Sequence, residues 1–250
     1  MVLCAKFEYM EGCMSVEATN LYNSLIADGF VGGKGIINVE FTLAGKTKVS
    51  HRIARPSSVG EIIEEWLRAY MTNKGIYFEA QSREDFPDYY LKKGDKQHAL
   101  LEVKAYAKSA AFDIANVSAF CRNLPDHPYK LDADYLIINY GMSKSGDIII
   151  KHMWLKNIYE ICGKEITAPY GLKKQVKNKQ KHTIRPLGMQ KPNPKAVFTD
   201  LEDFLHSVYV EYCSLENFTK AEKDAWVNKL VTNYNAFKGT PTISKSKIQF

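Results

Sequence analysis

No run of uninterrupted apolar residues in this chain approaches the roughly 18 needed to span a bilayer, so no membrane helix is expected. Residues 1–12 carry Lys6, Glu8 and Glu11 and no apolar stretch of leader length, and a cytoplasmic address is the expectation. The five cysteines (Cys4, Cys13, Cys121, Cys162, Cys213) are odd in number and widely spaced, and none forms a CxxC pair. That excludes a disulfide framework and a structural zinc site. The six histidines (His51, His98, His127, His152, His182, His206) show no ligand spacing either. The run from Gly29 to Gly35 contains Lys34 but lacks the spacing and the following Ser or Thr of a phosphate-binding loop. No repeat or low-complexity segment is present.

One further absence is local. Between Ile166 and Thr199 there is no acidic residue, while Lys173, Lys174, Lys177, Lys179, Lys181, Arg185, Lys191 and Lys195 all fall there. Those cations exceed the net charge of +6, so the rest of the chain is slightly acidic. A basic stretch on a near-neutral body is the footprint of a polyanion binder, with a solvated loop as the bland alternative.

What is present suits one folded unit. With 250 residues and 45% hydrophobic content, the chain can bury a sizeable core, and a single domain over 1–250 is expected. Helical spacing of Val16, Leu21, Leu25 and Ile26 predicts a helix over Ser15–Asp28. Alternation predicts strands over Ile36–Leu43 and Lys46–Ile53, turning at Ala44-Gly45. Ser58 with Glu61 reads as a capping box opening a helix over Val59–Thr72. Short strands at Ile76–Ala80 and Asp88–Leu91 lead into an apolar strand over Ala99–Tyr106. A helix over Phe112–Asn123, with Asp113 as its cap, comes next. Strands at Asp134–Tyr140 and Asp147–Trp154 precede the basic stretch, and helices over Thr199–Cys213 and Lys220–Phe237 end the pattern. The class is α/β, with a central mixed β-sheet flanked by helices.

The chemistry concentrates at Phe86-Pro87-Asp88, thirteen residues, then Glu102-Val103-Lys104. On a strand Glu102 and Lys104 point one way, and Leu101, Val103 and Ala105 the other. A strand this apolar belongs inside a sheet, where a Glu and a Lys cost on the order of several kcal/mol unless paired or bound to metal. A hairpin-like return would set Asp88 beside Glu102. Two converging carboxylates make a hard-oxygen site suited to Mg²⁺, with Lys104 placed for a water or a phosphate. Pro-Asp in a turn and Glu-x-Lys as a surface ion pair is the competing reading.

Asp88, Glu102 and Lys104 in this order resemble the PD-(D/E)xK nuclease motif. Phe112-Asp113-Ile114-Ala115-Asn116, Tyr129 to Ile137, Trp154-Leu155-Lys156 and Gln175 to Pro186 resemble type II restriction endonucleases, and within them the NgoBV-like family. The resemblance runs from about Ser58 to Arg185, half of the chain. It implies a restriction-endonuclease-like core (58–160), a basic DNA-contacting segment (166–199) and C-terminal helices (199–237). It implies Mg²⁺ held by Asp88, Glu102 and the backbone carbonyl of Val103, with a carboxylate from the preceding helix, Glu64, beside them. Lys104 would orient or deprotonate water, and cleavage would leave a 5′-phosphate and a 3′-hydroxyl. A homodimer on a short palindrome in double-stranded DNA is implied as well. Lys173, Lys174, Lys177, Lys179 and Lys181 are then candidates for phosphate contact, and Arg185, Asn178 and Gln180 for base reading. A structure-specific repair nuclease and a catalytically silent nucleic-acid-binding module are the alternatives.

Overall fold

The computed structural model describes residues 14–37, 40–42, 48–50, 58–81, 86–165, 171–177, 180–188, 195–215 and 217–249, with backbone alone at 40–42, 48–50, 177 and 180–182. In chain order the elements are α1 (Val16–Ala27), β1 (Gly35–Ile37), β2 (Glu40–Thr42), β3 (Lys48–Ser50) and α2 (Val59–Lys74). The middle of the chain holds β4 (Glu79–Ala80), β5 (Tyr89–Tyr90), β6 (Leu100–Tyr106), β7 (Ala115–Asn116), α3 (Val117–Asn123), β8 (Asp134–Met142) and β9 (Ile148–Asn157). Then follow α4 (Ile158–Ile161), β10 (Lys174–Lys177), β11 (Gln180–Ile184), α5 (Leu201–Leu215), α6 (Lys220–Lys238) and α7 (Lys245–Ile248).

The main sheet has the order β1-β9-β8-β6-β5-β4. β6 and β8 are parallel and the other pairs antiparallel, which is the mixed sheet expected. Alternation along β6 divides the core. Leu101 and Val103 pack with Leu136 and Ile138 under Leu21 and Leu25 of α1 and Ile63 and Leu67 of α2. Leu100 and Tyr106 pack with Tyr135 and Ile137 on the other face, against Val117 of α3, Phe204 and Val208 of α5, and Trp226 and Leu230 of α6. Helices thus cover both faces, as a parallel pair at the sheet centre requires.

Three local expectations are corrected. Ser58 has helical backbone angles and makes no side-chain capping bond, so Ser58 and Glu61 form no capping box; α2 runs on to Lys74 before Gly75 closes it with φ 66°. The helix predicted over Phe112–Asn123 begins only at Val117. Ala115 and Asn116 pair instead with Ile184 and Thr183 of β11, a partnership some 70 residues away that local periodicity cannot sense. The cap is accordingly Asn116, whose side chain accepts from Ala119 N–H at 3.0 Å, and not Asp113. The hairpin expected around Ala44-Gly45 exists as β2 and β3, with its turn outside the described residues.

Candidate active site

The β5–β6 register pairs Tyr89 with Leu101, which brings the preceding Asp88 alongside Glu102. Asp88 Oδ2 accepts the Val103 backbone N–H at 2.6 Å. One residue either side of Val103, on the face that carries Leu100 and Tyr106, stand Glu102 and Lys104. Lys104 Nζ lies 2.6 Å from Glu102 Oε1, so the buried carboxylate is joined to a half-buried ammonium, as the cost of leaving it alone demands. Glu102 is 6% exposed, and its Oε2 is buried with no hydrogen-bond partner.

The electrostatics follow from this crowding. Burial pushes the Glu102 carboxyl above its ordinary range; Lys104 opposes the shift and Asp88 adds to it. Burial also raises Asp88, against the Val103 N–H and the charge of Lys104. Burial works against the Lys104 ammonium, yet Glu102, Asp88 and Glu64 together hold its pKa above the usual value. Glu64, half-buried on α2, is pushed up to about 7 by desolvation first and by Asp88 next. Three carboxylates therefore share one partly buried space, where desolvation outweighs the opposing charges of Lys104 and Arg68.

That space is a cleft of about 950 Å³. Glu61, Glu64 and Arg68 reach it from one face of α2, at spacings of three and four residues. β7 and α3 supply Asn116 and Asn123, and Tyr135 sits beside Glu102 on the neighbouring strand. Tyr89 O–H donates to the Glu64 carbonyl at 2.9 Å and ties α2 to β5. Sequence reasoning missed Tyr135 and Lys130 as cleft residues. The helical spacing of Glu61, Glu64 and Arg68 was a usable signal; the others depend on distant packing.

The residues fit a hard divalent cation. All donors are oxygens, and Glu102 Oε2 is a buried acceptor lacking a partner, which a cation would satisfy. Among the described residues no group of three or more His, Cys, Asp or Glu side chains is disposed to hold an ion by itself. A cation there would draw on Asp88, Glu102 and the Val103 carbonyl, with waters or substrate oxygens completing its shell, as is usual for Mg²⁺. Glu64 stands near enough for its carboxyl to respond to both Asp88 and Glu102.

The basic stretch forms the β10–β11 hairpin, joined to β7 in a three-stranded sheet. Lys173 Nζ donates to the Pro186 carbonyl at 3.1 Å. Lys174 is paired with Glu211 of α5, both largely buried. Arg185 is paired with Asp113. The side chains of Lys177, Gln180 and Lys181, and Asn178 and Lys179 altogether, lie outside the described residues.

A family model described as NgoBV restriction endonuclease matches residues 15–248. The type II restriction enzyme NlaIV of Neisseria lactamica is 36% identical over 155 residues, covering 60% of this chain and 63% of that enzyme. The type II restriction enzyme NgoBV of Neisseria gonorrhoeae is 34% identical over 106 residues, covering 41% of this chain and 60% of that enzyme. The aligned stretches thus span less than two thirds of either curated relative. A solved NlaIV restriction endonuclease superposes with a TM-score of 0.79 at 28% identity, over 95% of this chain and 94% of that one.

Proposed function

The chain belongs to the NgoBV restriction endonuclease family, and from that premise we propose that it is a Mg²⁺-dependent type II restriction endonuclease. It hydrolyses phosphodiester bonds in double-stranded DNA at a short specific sequence and leaves 5′-phosphate and 3′-hydroxyl ends. The observation that carries this reading is the convergence of Asp88, Glu102 and Lys104, with an unsatisfied buried oxygen of Glu102, in an open cleft.

Asp88, Glu102 and the Val103 carbonyl hold the cation, and Glu64 adds charge beside it. When bound, Mg²⁺ supplies Lewis-acid polarisation of the scissile phosphate and makes water more acidic. Lys104, fixed by Glu102, directs its ammonium toward the attacking water and stabilises negative charge growing on the phosphate. Lys173, Lys177, Lys179 and Lys181 of the basic hairpin contact the DNA backbone, which fixes the position of the duplex. Lys174 anchors that hairpin to α5 through Glu211. The chain acts as one unit, and two copies related by a two-fold axis address a palindrome, one strand per site.

The test is digestion of phage DNA in Mg²⁺ with mapping of the fragment ends. Discrete fragments sharing one terminal sequence, with ends that a ligase accepts, are expected. A folded protein that cuts nothing in any divalent cation, or that nicks only junctions and flaps, overturns the reading.

A further inference from the structure

The basic hairpin and the catalytic cleft belong to one continuous piece of structure. β11 runs antiparallel to β7, with Thr183 opposite Asn116 and Ile184 opposite Ala115. Beside them Ile114 N–H donates to the Ile184 carbonyl at 3.0 Å. Ala115 and Asn116 line the cleft that holds Asp88 and Glu102, and Asn116 also caps α3. Whatever shifts β11 therefore shifts a wall of the cleft.

Asp113 stands at this junction, two residues before β7 begins at Ala115. Its Oδ1 accepts from the Thr183 hydroxyl at 3.0 Å and from the Arg185 guanidinium. Thr183 and Arg185 are two residues apart on extended chain and so present one side of the strand to it. Two bonds to one oxygen hold the base of the hairpin at a set position on the cleft wall. Asp113 is also 58% exposed, next to the segment read as binding DNA. A carboxylate there repels phosphate, so its local contribution is the bridge rather than affinity.

We propose that Asp113 is a specificity-determining positioning residue. Through Arg185 and Thr183 it keeps the hairpin in register with the cleft, so that a duplex seated correctly on the hairpin presents its scissile phosphate to Asp88 and Glu102. The inference rests on the reading that the hairpin binds DNA and the cleft cuts it. It gives Arg185 a structural partner in place of a base. Without the bridge the hairpin still attracts phosphates, but a poorly seated site reaches the cleft nearly as well as a correct one.

The test uses the full chain and short duplexes carrying either the mapped site or a version with one base pair changed. Wild-type cleavage into discrete fragments is established first; its absence overturns the functional reading and this inference together. Asp113→Ala should lower the ratio of kcat/KM for the two duplexes by about tenfold, equivalent to about 1.4 kcal/mol. Its thermal midpoint should stay at the wild-type value, because exposed ion pairs add little stability. Asp113→Asn, which keeps the Thr183 bond without the charge, should fall between the two. Arg185→Asp should lose discrimination, and combining it with Asp113→Arg should restore most of it. An unchanged ratio in Asp113→Ala overturns the inference alone. So does a charge-swapped pair no better than Arg185→Asp, since the Arg185 cation would then act on DNA directly.

Discussion

The Val103 backbone N–H donates to Asp88 Oδ2 at 2.6 Å, between two residues whose side chains, the buried Glu102 and the half-buried Lys104, pair 2.6 Å apart. A main-chain bond thus locks the first carboxylate to the strand that carries the second. Burial raises the pKa of both carboxyls.

Replacing either carboxylate should therefore separate binding from cutting. Asp88→Ala and Glu102→Ala are expected to abolish cleavage while retaining sequence-specific binding in Ca²⁺, measured by gel shift and plasmid digestion. Near wild-type turnover in either variant would sink the assignment of the site. Asp88→Asn keeps the Val103 bond and removes a desolvated charge. It should raise the stability of the metal-free protein by roughly 1 kcal/mol, a few degrees in Tm.

Lys104→Ala should lower the single-turnover rate by at least on the order of 10²-fold, the usual contribution of a placed proton-transfer or charge-stabilising group. DNA affinity at the hairpin should change far less. A variant that loses affinity and keeps its rate would assign Lys104 to binding instead.

A pH effect on stability is expected at Asp134. This carboxylate is fully buried and accepts from the Ser15 N–H at 3.1 Å and the Ser15 hydroxyl at 2.5 Å. Desolvation outweighs those bonds and pushes its pKa up to about 7. A folded pKa above the unfolded one means that the folded state prefers the protonated form. The contribution is complete below the ordinary carboxylate pKa and is lost as pH rises through about 7. Asp134→Asn should thus gain stability over wild type at pH 8 relative to pH 5, on the order of a few kcal/mol. Urea denaturation at the two pH values measures it, and an equal difference at both would refute the assignment.

The Lys174–Glu211 pair should behave as a structural anchor. Its side chains are 16% and 3% exposed, so Glu211→Ala leaves a largely buried ammonium without this carboxylate and should destabilise the fold by roughly 2–3 kcal/mol in urea titration. Lys174→Met combined with Glu211→Leu should recover most of that loss, because an apolar pair of similar volume avoids the desolvation cost. A double variant as unstable as Glu211→Ala would show that the charges themselves are required.

Much of this architecture is legible in local patterns. The alternation of Leu101 and Val103 with Glu102 and Lys104 is enough to name the strand and its two faces, and the two core clusters divide along it. Ile62, Ile63, Trp66, Leu67 and Tyr70 mark the apolar side of α2 by their spacing, and of these Ile63, Leu67 and Tyr70 are buried. Asp88, Glu102 and Lys104 are a common pattern by themselves; the apolar flanks of the strand and the basic stretch downstream are what single them out as the candidate site, because period-two geometry and the cost of buried charge both act over a few residues.

Tertiary structure decided the rest, where the determining contact is distant in sequence. That Asp113 meets Arg185 and Thr183, that Asn116 leaves a predicted helix to pair with Thr183, and that Lys174 faces Glu211 all depend on packing across dozens of residues. An acid-free stretch predicts a positive surface, but acids from elsewhere in the fold neutralise part of it. The candidates for chemistry were visible in the sequence. The partners that aim them appear only once the chain has folded, because electrostatic pairing follows distance in space and takes no account of distance along the chain.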